Sequence, residues 1–281
     1  MNRKIDFVAI FSVRAANPNG DPLNGNRPRE DINGYGEISD VALKRKIRNR
    51  WMDMGENIFV QSDDRATDKY KSLKERAEAT LKGVEEKDEY AKKACETWLD
   101  VRGFGQVFAF KGKKEKETGV SVGVRGPISI HPAFSVELID IEDIQITKSV
   151  NSEPSDTGKS SDTMGMKHRV AFGVYKTQGS INCQLAEKTG FSDEDAEKFL
   201  EALKTLFDND ASSARPEGSM AVEKVFWFKH NSKMGQYPTI QVHESVSVVK
   251  KEDVVNPSSI HDFIIHYEPL EGLEVEEYSL R

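Results

Sequence analysis

Cysteine is scarce: Cys95 and Cys183 are the only two, far apart and outside any CxxC pairing. That excludes a disulfide framework and a cysteine-clipped metal site, and it fits a reducing compartment. Both read as small buried residues. No apolar run approaches the roughly 20 residues that a membrane helix requires, and the start, MNRKIDFVAIFSVRAANPNG, turns polar after a short apolar stretch. A soluble, cytoplasmic protein is therefore expected, with no membrane partner. Linkers rich in Gly and Ser, or in Pro, are missing too, so the 281 residues read as one domain carrying insertions. The six histidines are scattered, none in HExxH spacing and none clustered with cysteine. No zinc site, other metal site or cofactor is expected.

The charge present is unevenly distributed. The formal net charge of −7 argues mildly against a nucleic-acid partner, with acid collected toward the end in LEGLEVEEYSLR. The stretch Lys44 to Arg50 nevertheless holds five cations and no acid, a local track compatible with phosphate.

Residues 5 to 14, IDFVAIFSVR, read as a strand, and the following ANPNGDPLNGNRPRE, dense in Asn, Gly and Pro, reads as a long turn. A helix capped by Ser39 or Asp40 should come next, with Leu43, Ile47, Trp51 and Met54 on one apolar stripe. Lys44, Arg45 and Arg48 fall on one flank of that stripe and Lys46 and Arg50 on the other, both expected to face water. Between about Ala66 and Asp100 the chain is charged and helix-prone, and Tyr90, Ala94 and Trp98 mark the second of two inserted helices. Strands are expected at 101–110, 119–130 and 141–150, with a lysine-rich turn KGKKEKE joining the first two. NSEPSDTGKSSDTMGMKH then reads as an exposed loop or hairpin tip, followed by a strand and the helix FSDEDAEKFLEALKTLF, with Phe199, Leu203 and Leu206 inward. VEKVFWFKH, HESVSVVKK and HDFIIHYEP supply closing strands. Strands and helices in this order make an α+β fold, for which a ferredoxin-like or RNA-recognition-motif core is the common small solution.

An Asn/Gly-rich loop that runs into a basic helix start offers backbone amides and cations to a sugar-phosphate chain. It is equally compatible with a solvated helix face behind an ordinary loop. Arg102-Gly103-Phe104-Gly105 partly matches the RNA-recognition signature, but Gln106 and Ala109 replace its stacking aromatics, so Phe108 and Phe110 read as core. Met164 and Met166 beside Lys167, His168 and Arg169 could wedge between bases or anchor the loop on its own core. Asp21 and Asp31 could bind a divalent ion, although turn hydrogen bonds are the simpler use. His131, before Pro132, reads as structural.

The segments ANPNGDPLNGNRPRE, SDVALKRKIRNRW, DVRGFGQVFAF, GVRGPISIHPAFS, QITKSVNSE, TMGMKHRVAFGVY and DNDASSARPEG closely resemble, in order, the backbone subunit of the type I-C CRISPR Cascade complex. That family lies in the repeat-associated mysterious protein superfamily. The resemblance runs from about residue 5 to residue 220 and implies a modified RNA-recognition-motif (ferredoxin-like) palm, with helical fingers near 62–100 and a thumb β-hairpin near 143–170. It further implies a non-catalytic protein whose copies assemble as a helical filament along CRISPR RNA beside other Cascade subunits. The guide would pair with the target strand of invading DNA. By motif position Asn17, Asn19, Asn24 and Arg27 resemble first-loop contacts, and Ser39, Lys44, Arg45 and Arg48 resemble backbone binders on the first helix. Met164, Met166, Lys167, His168 and Arg169 would be thumb residues, and Arg125 and Arg215 lie in matching glycine-flanked turns. A metal-dependent RNA endonuclease of the same superfamily and a protein-only scaffold are the alternatives.

Overall fold

The computed structural model describes residues 1–110, 120–147 and 164–280. The lysine-rich turn, the end of the expected 141–150 strand and the whole of the NSEPSDTGKSSDT segment lie outside them. The elements in chain order are β1 (Ile5–Ala16), β2 (Gly20–Asp21), β3 (Arg27–Pro28), β4 (Tyr35–Ile38), α1 (Asp40–Asp53), α2 (Leu73–Thr80), α3 (Lys87–Thr97), α4 (Leu99–Phe104), β5 (Gly105–Phe110), β6 (Val120–Arg125), β7 (Ile128–Ile130) and β8 (Ala133–Leu138). They continue with β9 (Ile141–Thr147), β10 (Met164–Ile181), α5 (Cys183–Thr189), α6 (Asp193–Lys204), β11 (Met220–Lys229), α7 (Thr239–Glu244), β12 (Val246–Lys250), β13 (Phe263–Tyr267) and β14 (Glu274–Ser279). The fold is α+β, built on one eight-stranded sheet in the order β14-β11-β1-β10-β8-β4, with β7 and β9 also paired to β10. No helix among the described residues is long and apolar enough to cross a membrane.

Strand β1 sits at the centre, antiparallel to β10 on one side and β11 on the other. Its pleat sends Phe7, Ala9, Phe11 and Val13 into a core shared with α1 and α6, and Val8 and Ile10 into a second core with Val242, Val246, Val248 and Phe263. Both faces of the sheet are thus covered, one by helices and the other by α7 and the β12–β13 ribbon. Asp6, fully buried on the second face, is held by three groups: His230 Nε2 at 2.7 Å, Lys4 Nζ at 3.0 Å and Thr239 Oγ1 at 3.2 Å. His230 Nδ1 accepts from the Gln236 amide at 3.0 Å, so its ring proton sits on Nε2 and is donated to Asp6. Burial pushes the Asp6 carboxyl up, and the hydrogen bonds from His230 and Lys4 more than reverse this, leaving it below the usual range.

Helix α1 starts where Ser39 accepts from the Ala42 amide, and Leu43, Ile47 and Trp51 are fully buried as their spacing requires. Helix α6 carries the capping box Ser192/Asp195 and buries Phe199, Leu203 and Leu206. Tyr90, Ala94 and Trp98 form a separate core with Phe59 and Phe108, which places the helices α2 and α3 and the β5–β6 ribbon in a satellite layer. Both cysteines are free and buried; burial pushes the Cys95 thiol up to about 11 and raises Cys183 as well, which keeps them inert.

Several expectations need correcting. The expected strand at 101–110 is helical to Phe104, where Gly105 turns the chain at φ 82° into β5; Asp100, in the first turn of that helix, accepts the amides of Phe59 and Val60. A Cβ at Gly105 would sit 2.4 Å from the Val124 carbonyl oxygen, so only glycine fits. The single strand at 119–130 is two, β6 and β7, broken at Gly126-Pro127. Lys46 does not face water: it is 5% exposed. Strands β12 and β13 pair with each other outside the main sheet. The acidic end is structural: β14 pairs with β11, setting Glu276 and Glu277 against Lys229 and Lys224 at 2.5 and 2.6 Å.

Trp51 joins α1 to α6, its indole donating to the Lys198 carbonyl at 3.1 Å from a fully buried position. Trp51→Ala is expected to cost about 3–5 kcal/mol in denaturant unfolding, whereas Trp51→Phe should cost less than half as much, losing one hydrogen bond and part of the ring.

Candidate nucleic-acid interface

The chain leaves β1 through Ala15, held at φ 50°, and enters a loop whose backbone is tied to the 212–219 turn: the Arg14 amide donates to Ser219 O at 2.8 Å and the Asn17 amide to Ala214 O at 2.9 Å. Among the described residues, Ala15, Asn26 and Asn209 are the non-glycine residues in the left-handed region, and all three lie on these two segments or the α6 exit. Such strain persists only where surrounding contacts over-determine it. Gly20 lets the Asn26 side chain pack directly on the backbone, since a Cβ there would lie 2.0 Å from Asn26 Oδ1. Asn19 docks the loop on the helix, its Oδ1 accepting from both the amide (2.9 Å) and hydroxyl (2.8 Å) of Ser39. Asn17 is buried, donating to the Asn26 carbonyl at 2.6 Å.

These contacts open a cleft of about 400 Å³ between the loop, α1, Arg65 and the Asn209–Ser212 segment. Asn19, Arg45, Lys46, Asn49, Arg65 and Arg215 supply its polar wall, four of them cationic, against the acids Asp64 and Asp210. Asp210 stands between Lys46, in a short ion pair, and Arg215 at 3.2 Å. Burial pushes the Lys46 ammonium down to about 8, against the pull of Asp210. Arg65 is braced by Asp53 at 3.1 Å and by the Asn209 carbonyl at 2.7 Å.

Of the residues expected to bind, Asn19, Arg45 and Arg215 meet in this cleft, with Ser39 and Asn17 supporting it from behind. Lys44 lies on the same helix, paired with Asp40 at 2.9 Å. Arg48 points elsewhere: its Nε is 2.9 Å from buried Asp100 and its guanidinium lies 5.1 Å from the Phe104 ring centroid, so it ties α1 to the satellite layer. Asn24 is at the exposed tip of the β2–β3 turn, and Arg27 pairs with Asp143 on β9. Asp143 also receives His168 Nδ1 at 2.6 Å, which brings the first loop against the base of the β9–β10 hairpin. On that hairpin Arg169 pairs with Glu142 at 2.6 Å, and Met164 and Met166 are 59% and 54% exposed. Arg125 stands exposed at the end of β6, outside the cleft.

Lys46 and Arg65 were missed as cleft residues. The helix wheel set Lys46 on a wet flank, and Arg65 sits in a loop whose sequence carries no signal. Asp21 and Asp31 accept the amides of Leu23 (3.1 Å) and of Asn33 and Tyr35 (2.8 and 2.9 Å), the turn bonding their positions suggest. Among the described residues no group of three or more His, Cys, Asp and Glu side chains could hold a metal. Phe108 is fully buried and Phe110 packs against the same core, so the partial RNA-recognition signature is part of the satellite packing.

The fold and cleft define an α+β protein with a cationic recess at one end of a sheet whose two faces are both covered. A family model described as CRISPR-associated protein Cas7 matches residues 3–268. The CRISPR-associated protein Cas7 of Haloferax volcanii is 26% identical over 262 residues, spanning 86% of this chain and 70% of that protein. Two solved structures are also similar. One, a CRISPR RNA-guided surveillance complex in a pre-nicking state, is 15% identical with a TM-score of 0.49 over 80% of this chain and 78% of that one. The other, a CRISPR RNA-guided surveillance complex, is 18% identical with a TM-score of 0.43 over 80% and 68%. The chain belongs to the Cas7 family.

The depressed Lys46 gives the cleft a pH signature. A phosphate held in the cleft would need the ammonium, so above about pH 8 its binding would have to take up a proton. Affinity for a single-stranded RNA should fall up to about tenfold per pH unit above that point, and the fall should flatten in Lys46→Arg, which stays charged. Parallel profiles in the two proteins, by fluorescence anisotropy, would remove Lys46 from the binding site. Stability moves the other way: between about 8 and the ordinary 10.5 the unfolded chain holds a proton that the folded one has shed, so unfolding free energy rises with pH.

Proposed function

We propose that this protein is a non-catalytic, CRISPR RNA-binding backbone subunit of a type I-C Cascade surveillance complex, several copies of which assemble along one guide RNA. The observation that carries the reading is the cleft, where Arg45, Lys46, Arg65 and Arg215 converge from three segments distant in sequence. Side chains of this kind grip sugar-phosphate without reading bases. Sequence recognition is then left to pairing between the guide and the target DNA strand, with other Cascade subunits completing the particle.

The element order supports the palm assignment. Strand β1, helix α1, strands β8 and β10, helix α6 and strand β11 follow the β-α-β-β-α-β order, and their sheet order β11-β1-β10-β8 is antiparallel throughout. Residues 62–100 then serve as fingers and 143–170 as the thumb, whose Lys167, His168 and Arg169 line the hairpin base while Met164 and Met166 stand exposed nearer its end. The first loop, through Arg27, connects this thumb to the cleft. Asp21 and Asp31, the candidates for metal-assisted cutting, are engaged with backbone amides, which favours the non-catalytic reading.

The protein purified from cells carrying a CRISPR array should bring with it a discrete RNA, identified by ultraviolet absorbance and sequencing. Arg45→Glu, at a half-exposed position, should lower affinity for that RNA at least about tenfold at unchanged melting temperature. A protein that copurifies free of RNA and is indifferent to this reversal would fit a protein-only scaffold instead.

A further inference from the structure

The cations of the proposed RNA track come with acids already on them. Arg45 lies 3.7 Å from Asp64, Arg169 lies 2.6 Å from Glu142, and Arg27 and His168 share Asp143. Asp210, 14% exposed between Lys46 and Arg215, forms part of the cleft wall. The other three carboxylates differ from it: the side chains of Asp64, Glu142 and Asp143 are 76%, 45% and 46% exposed, on the solvent side of the cations they hold. Surface pairs of this kind are weak individually, which makes them exchangeable.

We propose that Asp64, Glu142 and Asp143 are specificity-determining residues of the RNA site, intramolecular stand-ins for phosphate that occupy Arg45, Arg169 and the Arg27–His168 pair until a long polyanion displaces them. The proposal rests on the RNA reading above. A tethered carboxylate competes with a free anion at the high effective concentration that its tether sets. A single phosphate or a short oligonucleotide must meet this competition at one or two contacts, with little else to offset it. A long strand meets the same cost at each carboxylate it displaces, but it makes enough further contacts to stay bound. The groove therefore rejects short stray nucleic acid and keeps its affinity for a strand that fills it. The negative net charge of the chain acts in the same direction, by repelling polyanions that engage only part of the track.

The test uses the full chain with Asp64→Asn, Glu142→Gln and Asp143→Asn, singly and together, against fluorescein-labelled uridine oligomers of six and thirty nucleotides across a potassium chloride series. Each substitution should tighten binding about two- to fivefold, the strength of one exposed ion pair. The triple variant should tighten both oligomers, bring the six-nucleotide one from undetectable on the wild type into the measurable range, and show a steeper salt dependence, by up to about 0.7 in log–log slope for each cation released. Variants that melt with the wild type and bind no more tightly, while Arg45→Glu still weakens wild-type binding, overturn the shielding and leave the RNA reading standing. Binding gained by the triple variant where the wild type shows none supports it most strongly. If neither binds, the RNA reading fails and the shielding with it.

Discussion

Strand β1 is buried on both faces, and the geometry of the cleft depends on that. Apolar side chains alternate into two separate cores, and the one carboxylate among them, Asp6, is satisfied by His230, Lys4 and Thr239. A strand gripped this way cannot slip by one residue without exchanging its two apolar sets and burying Asp6 among the helices. Its last residues are consequently a fixed launching point. From there the backbone bonds to Ala214 and Ser219 and the Asn19–Ser39 clasp set the loop against α1 and the 209–215 segment. The cleft inherits its shape from a register fixed several residues upstream.

The buried Lys46 shows what such a frame permits. An ammonium with 6% side-chain exposure pays a desolvation cost, visible in its depressed pKa, and survives because Asp210 and the ring of Phe207, 5.6 Å away, receive it. Arg215 shares the same carboxylate. One acid between two cations leaves a net positive charge at the wall of a recess partly shielded from water, where attraction for an anion is stronger than on an open surface. The exposed pairs along the track have the opposite character, since solvent screens them and their acids can swing away.

Local patterns in the sequence were read where local rules decide the outcome. The Ser39 cap, the stripe Leu43-Ile47-Trp51 and the inward Phe199 and Leu203 of α6 need only their own helices, and each came out as their spacing implies. The misreadings share a cause: a partner far along the chain. Lys46 is paired with Asp210, more than 160 positions away, and Arg48 turns from the cleft to supply the counter-charge of buried Asp100. The segment 101–110 alternates enough to suggest one strand, yet the Gly105 turn divides it between α4 and β5. In EVEEYS the acids hide a strand whose matching lysines sit on β11. Of the expected contact residues, Asn19, Arg45 and Arg215 met in the cleft, whereas Asn24 and Arg27 of the same first loop did not, the latter drawn off to Asp143 on β9.

The covered sheet narrows where RNA could run. A sheet that reads single-stranded RNA offers its open face, with aromatic side chains on which bases stack. Here that face is occupied by Val242, Val246, Val248 and Phe263, packed on Val8, Ile10, Val174, Phe226 and Phe228, and the signature-like Arg102-Gly103-Phe104-Gly105 sits in the satellite instead. Opening the face would expose an entire apolar core, far more than base stacking of about 1–3 kcal/mol per nucleotide could offset. Under the proposed function, an RNA strand would follow the rim, from the cleft beneath Asn19 and Arg45 to the hairpin base at His168. A strand gripped by its phosphates along a rim has bases with no sheet to lie on. They remain directed outward and unstacked on protein, the condition a second strand needs to pair with them.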